Sequence, residues 1–348
     1  MTHRQYPTDD ILAEYNLQAA GISPLGNGLI NLTWKVEAPP AGRFVLQRVN
    51  DMFSPAINRD IDRLTRHLEA AGEPTCRLVP TRDGALWVTN DAGNWRLLTW
   101  VDGVSHDALK TAAQARCAGG LLARFHRAVD NLDHEFATRR PGIHDTQAHL
   151  RFLTDTLKNQ VAHPQHRAVA SLGRRILEAA EALPELPAMP DRVVHGDPKI
   201  NNILFRRDSD EAICLIDLDT ITHMPLSLEL GDAMRSWCNP ASEDDRYGEF
   251  SAALFCDAME GYAEFARGWI EPAEREAIVD ATRTILIELA ARFCADALNE
   301  SYFGWNPERF ASRTEHNQVR AAGQLTVVES LVAQRADLEA IIAAAFAG

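Results

Sequence analysis

A change of hydrophobic period constrains this chain more than any other feature. Up to about residue 102, apolar residues alternate by two. The second half of "ISPLGNGLINLTWKVE" (22–37) does so, "GRFVLQRV" (42–49) reads as a further strand, and "GALWVTN" and "NWRLLTWV" read as a hairpin around 91–93. Helical spacing enters this stretch in a short segment at 9–20 and in "AINRDIDRLTRHLEAAG" (56–72), where Ile57, Ile61, Leu64 and Leu68 share a face and Gly72 ends the run. From Asp107 onward the pattern is helical: "AAQARCAGGLLARFHRAV" (112–129), 146–183 and 247–346. One interruption, at 193–219, places two apolar runs around a polar turn and reads as a hairpin inside a helical region. The fold expected is therefore α+β: a β-rich N-terminal lobe, 1–102, with one main helix, and a larger, mostly helical C-terminal lobe, 103–348. At 348 residues the chain can enclose a cleft between two such lobes.

Charge and cysteine usage exclude some functions. A formal net charge of −14 disfavours nucleic acid, whose phosphates need a basic surface, and equally an anionic membrane. The six cysteines are scattered, with no C-x-x-C pair, so neither a zinc knuckle nor a redox motif is suggested. The polar start "MTHRQYPTDD" lacks a signal-peptide core, and no apolar run reaches the length of a membrane span. The expectation is a cytoplasmic protein acting on a small molecule. Oligomeric state is open.

The interruption carries the chemistry. "VVHGDPKINNILF" sets Asp197 two residues after His195 and Asn202 five after Asp197, and "LIDLD" then brings Asp217 to the end of an apolar strand. That order suits phosphoryl transfer. Asp197 can accept the proton of a substrate hydroxyl. Asn202 offers a neutral oxygen to Mg²⁺ and Asp217 an anionic one, a set sufficient for magnesium when a nucleotide supplies the remaining ligands. Any one of these residues alone is more often a turn residue; the spacing, the hairpin and the strand-end Asp together favour chemistry. Lys199 either neutralises the transferred phosphoryl group or faces solvent. His195 reads as a loop anchor.

The stretch "LGNGLINLTWKV" supplies a candidate nucleotide lid through Gly26, Asn27, Gly28 and Asn31, since glycines in a turn let backbone N–H groups approach phosphates. A plain hairpin turn explains the two glycines equally well. The following strand, where a kinase would carry its phosphate-pairing cation, has no lysine. Arg48 is the cation nearest that place, with Gln47 beside it, and alternation turns only one of them to the cleft. Asp60, Asp62 or Glu69 on the 56–72 helix could partner the cation.

"VVHGDPKINNILF", "LIDLDT" and "LELGDAMR" resemble the aminoglycoside phosphotransferase/choline kinase superfamily, which has a protein-kinase-like fold, and "AGGLLARFHRAV" and "LLTWVDG" resemble its pre-loop helix and hinge. Within it, "GNGLINLTWKV", "FVLQRVN", "IDLDTI", "RFCADALNESYF" and "RTEHNQVR" are similar to stretches of N-acetylhexosamine 1-kinases. The resemblance implies ATP and Mg²⁺ as cofactors, Asp197 as base, Asn202 and Asp217 as metal ligands, and Thr99, Trp100 and Val101 as the adenine-binding hinge. It implies Asp219 and Asp232 near the site, either as supporting groups behind it or against the acceptor, and Arg292, Asp296, Tyr302 and Phe303 helping to line the acceptor pocket. The implied reaction moves the γ-phosphate to the anomeric hydroxyl of an N-acetylated hexosamine.

Helical spacing puts Arg292, Asp296 and Glu300 on one face, as pocket or as a solvated ion-pair ladder. Tyr302, Phe303 and Trp305 suit a sugar ring or a helix end packed on the core. A cationic acceptor would instead need an aromatic cage, for which Trp237, Trp305 and Tyr302 are candidates. A non-catalytic ATP-binding module is the remaining alternative; the missing strand lysine favours it, and the Asp197–Asn202–Asp217 set opposes it.

Overall fold

The computed structural model describes residues 9–18, 21–26, 31–137 and 143–347. Its first part holds α1 (Asp9–Ala13), β1 (Gly21–Pro24), β2 (Leu32–Ala38), β3 (Gly42–Val49), α2 (Ile57–Ala70), β4 (Leu78–Val79), β5 (Val88–Asn90) and β6 (Gly93–Thr99). The strands form one antiparallel sheet in the order β1-β2-β3-β6-β4, with β5 paired to β6. Period-two alternation decides its two faces. Trp34 and Val36 of β2, Leu46 of β3, and Trp95 and Leu97 of β6 point one way and bury against Ile11, Leu12 and Tyr15. Each such side chain contributes about 2 kcal/mol of apolar burial. The residues between them, Thr33, Gln47 and Arg96, therefore share the opposite face. They are in register across three strands, as Thr33↔Gln47 and Gln47↔Arg96.

The second part is helical, as the 3.6-residue period requires. It comprises α3 (Ala112–Val129), α4 (Thr146–Asn159), α5 (His166–Glu181), β7 (Asp191–Val194), β8 (Ile203–Phe205), β9 (Ala212–Leu215), β10 (Thr222–Pro225), α6 (Leu226–Trp237), α7 (Ala252–Ala266), α8 (Pro272–Glu276), α9 (Ile278–Asn299), α10 (Arg313–Ala333) and α11 (Arg335–Ala345). The α+β architecture is the one expected. The predicted hairpin is β8–β9, and β7–β10 is a second pair that the short "THMP" stretch did not reveal. The first helix is shorter than 9–20 and ends at Ala13. Gly119 in α3 and Gly261 in α7 make their helices cross closely, since a Cβ at Gly119 would lie 2.0 Å from the Ala258 carbonyl oxygen and one at Gly261 1.9 Å from that of Arg116. Among the described residues no helix is long and apolar enough to cross a membrane.

Candidate active site

The site is assembled on the two small hairpins. β7 delivers the chain into the loop 195–202, and the β8–β9 register, Ile203↔Leu215, brings Asn202 beside the end of β9. The Ile216 amide donates to the Asn202 carbonyl at 2.9 Å, so Asn202 and Asp217 are near neighbours in space. Gly196 adopts φ +82°, and any Cβ there would sit 2.2 Å from the Thr220 carbonyl oxygen, so the turn both needs positive φ and has room for hydrogen only.

Buried groups pin this loop from beneath. Glu229 on α6 accepts the amides of His195 and Gly196 at 3.0 and 2.9 Å. His195 is the anchor its position suggested. Its Nε2 lies 2.9 Å from the Ile216 carbonyl and must donate there, which leaves Nδ1 to accept the Asp197 amide at 3.3 Å. The Trp237 indole donates to the Pro198 carbonyl at 2.8 Å, and the Ile200 amide to the Ser236 hydroxyl at 3.0 Å. Glu229, Ser236 and Trp237 were missed as loop supports, because each lies about 30 to 40 residues from its partner and only the folded chain joins them.

Above these supports the functional side chains converge. Lys199 Nζ donates to Asp197 Oδ2 at 2.6 Å, and Asn202 Nδ2 donates to the Asp197 carbonyl at 2.8 Å and to Oδ2 at 3.3 Å. Burial would raise the Asp197 carboxyl, but the Lys199 ammonium outweighs it and holds the group below the usual carboxylate value. Lys199 is therefore an ion-pair partner of Asp197, with its side chain still partly exposed. Asp217 takes the left-handed conformation, φ 64° and ψ 55°, at the head of a 3-10 turn, Leu218–Thr220. An aspartate held there is strained, and such strain collects at functional sites. Burial raises its carboxyl, the neighbouring Asp219 raises it further, and Lys199 only partly offsets them.

That donor set fits a divalent cation. Asn202 has committed its amide nitrogen, which leaves its oxygen as the remaining donor. Asp217 is a partly buried carboxylate whose charged neighbours are Asp219, Asp197, Lys199 and Arg96. Among the described residues no three His, Cys, Asp or Glu side chains form a metal site of their own. A hard ion held by Asn202 and Asp217 would complete its shell with water and phosphate oxygens.

On the sheet side the structure answers one alternative and corrects one residue. Gln47 faces the cleft: its Nε2 donates to the Thr33 hydroxyl at 3.2 Å and its Oε1 accepts from Arg96 Nε at 2.8 Å. Arg48 does not. Alternation turns it to the other face, where it bonds the Ala92 carbonyl and pairs with Asp51 at 3.3 Å. Arg96, in register with Gln47, is the buried cation of that face, while Lys35 and Arg43 share the face farther along and lie over the Trp100 ring. A lone arginine inside the apolar run "NWRLLTW" was the signal available for Arg96.

Asp219 takes the first of its two expected places, as a supporting group beside the site. Rather than reaching toward an acceptor, it takes Arg96 Nη1 at 2.5 Å and Nη2 at 2.9 Å, and Asn31 Nδ2 at 2.6 Å. Asn31 in turn accepts the Asn50 amide at 2.9 Å. Gly26 has φ +68°, which suits a lid turn and a plain hairpin turn alike, while Asn27 and Gly28 lie outside the described residues. Thr99 closes β6 and exchanges bonds with Arg77, its amide donating to the Arg77 carbonyl and its hydroxyl accepting the Arg77 amide, both at 2.9 Å. Trp100 and Val101 follow as chain without regular structure, and Val104 then pairs with Phe205 of β8, tying this segment to the β8–β9 hairpin.

The residues expected on the acceptor side lie on α6, α9 and the stretch after each. Asp232 binds Arg235 Nε at 2.8 Å, and Arg235 also reaches Glu243 at 2.8 Å. Burial raises Asp232, and its nearness to Asp197 adds to the rise. Arg292 lies 4.0 Å from Glu288, with its guanidinium carbon 5.6 Å from the ring centres of both Tyr302 and Phe303. Tyr302 is half exposed.

Asp296 is not a pocket-lining side chain. It accepts the amides of Ser301, Tyr302 and Phe303 at 2.9, 2.8 and 2.9 Å, plus Asn317 Nδ2 at 3.0 Å, so it shapes the loop that carries Tyr302. Glu300 leaves the expected shared face, because α9 ends at Asn299 and Glu300 turns left-handed with φ 49°. His144 was not foreseen. It bonds Glu288 at 3.0 Å, and its buried Nε2 has no hydrogen-bond partner among the described residues.

Comparison with known proteins agrees with this geometry. Residues 21–265 match the model of the phosphotransferase enzyme family. The whole chain is similar to an aminoglycoside phosphotransferase from Alicyclobacillus acidocaldarius, with TM-score 0.62 at 17% identity over 99% of this chain and 97% of that one. It is similar to an amicoumacin kinase in complex with AMP-PNP, Ca²⁺ and Ami (TM-score 0.62, 13% identity, 93% and 95% covered). It is also similar to a choline/ethanolamine kinase family protein from Mesorhizobium loti (TM-score 0.56, 17% identity, 94% and 93% covered). The chain belongs to the phosphotransferase enzyme family. It is an ATP-dependent small-molecule kinase with a divalent metal as cofactor.

Proposed function

We propose that the acceptor is a neutral sugar, an N-acetylated hexosamine phosphorylated on its anomeric hydroxyl, and that Asp197, Asn202 and Asp217 carry the reaction. The acceptor oxygen attacks the γ-phosphorus of ATP. A new O–P bond forms, the bond from the γ-phosphorus to the β–γ bridging oxygen breaks, and the hydroxyl proton passes to Asp197 as ADP leaves. Asn202 and Asp217 would hold the divalent ion, which would neutralise phosphate charge. Asp197, kept ionised by Lys199, orients the hydroxyl and takes its proton late; a loose transition state needs no strong base. The loop supports fix Asp197 so that little reorganisation remains on binding.

The observation that carries the acceptor reading is charge matching on that side. Asp232 is paired with Arg235, Glu288 with His144, and Asp296 with three backbone amides. No carboxylate of this set is left to attract a cation. Trp237, a candidate cage wall, is fully buried and holds the Pro198 carbonyl, so it cannot face a quaternary amine. Arg292 beside Tyr302 instead offers a planar donor next to an aromatic face, which suits an acetamido carbonyl and a sugar ring.

A panel of N-acetylhexosamines, hexoses, choline, ethanolamine and aminoglycosides, read by ADP release, tests this. N-acetylhexosamines should give the highest kcat/KM, and their 1-O-methyl glycosides should give none. A faster amine or aminoglycoside, or an active methyl glycoside, overturns the reading.

A further inference from the structure

In protein kinases a β3 lysine is held by a glutamate of the neighbouring helix. Here the equivalent strand puts Gln47 beside Arg96, and its one cation on that face, Arg43, lies at the strand's other end over Trp100 and beside Asp102. The acids of α2 look elsewhere: Asp60 accepts from His134 and the Ala137 amide, Asp62 pairs with Arg66 and Arg77, and Glu69 pairs with Arg77. Yet a buried ion pair does join the sheet to the metal-ligand loop. We propose that Arg96 and Asp219 are the positioning pair of this enzyme, with the cation moved to β6 and the acid moved to the turn after Asp217, and that they hold Asp217 ready for the metal–nucleotide complex.

The geometry supports that assignment at each end. Arg96 and Asp219 form a two-pronged guanidinium–carboxylate pair at 2.5 and 2.9 Å, with both side chains 2% exposed. The remaining reach of Arg96 is to Gln47 at 2.8 Å, within the polar row of the sheet, and to Asn58 of α2 at 3.4 Å. Asp219 sits in the turn that Asp217 begins. The far end of that turn is fixed by the Thr220 hydroxyl donating to the His195 carbonyl at 3.0 Å. With both ends tied, Asp217 has little freedom to leave its left-handed conformation. The second oxygen of Asp219 also accepts from Asn31, so lid, sheet and metal loop meet on one carboxylate. Removing either partner leaves the other charge buried and uncompensated. Neither residue is placed to touch the acceptor, so both are positioning residues.

The proposal rests on the phosphotransferase reading of the site and is independent of the acceptor, so nucleotide binding tests it even if the sugar assignment fails. ATP is titrated calorimetrically into the full chain in Mg²⁺ and in EDTA, for the wild type, Arg96→Met, Arg96→Lys, Asp219→Asn, Asp62→Asn and the Arg96→Met/Asp219→Asn double variant. Arg96→Met and Asp219→Asn should each lose at least about tenfold in Mg²⁺ and less than about threefold in EDTA. The double variant should be no worse than the worse single one, Arg96→Lys should recover part of the loss, and Asp62→Asn should stay near wild type. Should Arg96→Met not fold, Arg96→Lys and Asp219→Asn carry the test. Equal losses with and without Mg²⁺ would mean a general structural role. Losses that multiply in the double variant, or a loss in Asp62→Asn matching that of Asp219→Asn, would also overturn the assignment.

Discussion

The catalytic loop at 195–202 and the acceptor side around Arg292 are both rich in polar groups, but they are held differently. In the loop, support comes from residues beneath it. Glu229 grips two amides, Trp237 a carbonyl and Ser236 an amide, so Asp197 and Asn202 are presented by a braced backbone. On the acceptor side the bracing is indirect. Asp296 gathers three successive amides and so shapes a short loop after α9, and Tyr302 projects from that loop half exposed. Among the described residues, nothing bonds the buried Nε2 of His144. The first region is finished before anything binds, whereas the second has groups waiting for a ligand. That is the division expected when one reaction is combined with a variable substrate: chemistry sits on rigid elements, and recognition on loops that can change.

Three variants sharpen this contrast. The largest effect belongs to the loop. Asp197→Asn keeps the shape but removes the proton acceptor, so kcat should fall by about 10³-fold while ATP affinity stays within about threefold. Steady-state kinetics beside a thermal-shift titration with ATP and Mg²⁺ reads both, and retained turnover would remove Asp197 from its role. Next comes Asp296→Ala, which leaves three amides of the Tyr302 loop without their acceptor. It should raise the acceptor KM by about tenfold with little change in that for ATP, and cost about 2 kcal/mol in urea unfolding. If the ATP and acceptor constants rose together, Asp296 would be supporting the whole site.

The smallest effect is a pH dependence. Burial opposes the charge on His144, but the Glu288 carboxylate outweighs it and raises the imidazole. Burial likewise opposes the charge on Glu288, and the bond from His144 outweighs it and lowers the carboxyl. The share from His144 is full below the unfolded imidazole value and is lost as pH rises through its raised folded value. The share from Glu288 is present above the unfolded carboxylate value and is lost as pH falls through its lowered folded one. The stability advantage of the wild type over Glu288→Gln should therefore be largest, about 1 kcal/mol, between about pH 4.5 and 6.5 and should shrink on either side. Unfolding curves that stay parallel across that range would detach the pair from stability.

What the sequence disclosed follows the same division. Asp197, Asn202 and Asp217 were legible because they lie within 21 residues and their spacing is set by one hairpin. The sheet and main helices were legible because their periods are long and regular. Arg96 was not, since its partner Asp219 lies 123 positions away and nothing local distinguishes a strand arginine that crosses the cleft from one that meets water. The choice between Gln47 and Arg48 required knowing that Leu46 is buried against α1, and Phe44, Val45 and Val49 put apolar residues on both faces of the same strand. Asp296 was placed on the right helix face but given the wrong task, because capping depends on where α9 stops, and only the left-handed turn at Glu300 reveals that.

The convergence of Asn202 and Asp217 on one cation is the claim on which the rest stands, and crystals grown with Mn²⁺ and AMP-PNP test it most directly through the anomalous signal of manganese. The account predicts one peak or two within ligand distance of the Asn202 side-chain oxygen and the Asp217 carboxylate, with Asp197 facing the γ-phosphate. Manganese bound elsewhere, with both side chains turned from the triphosphate, would contradict it.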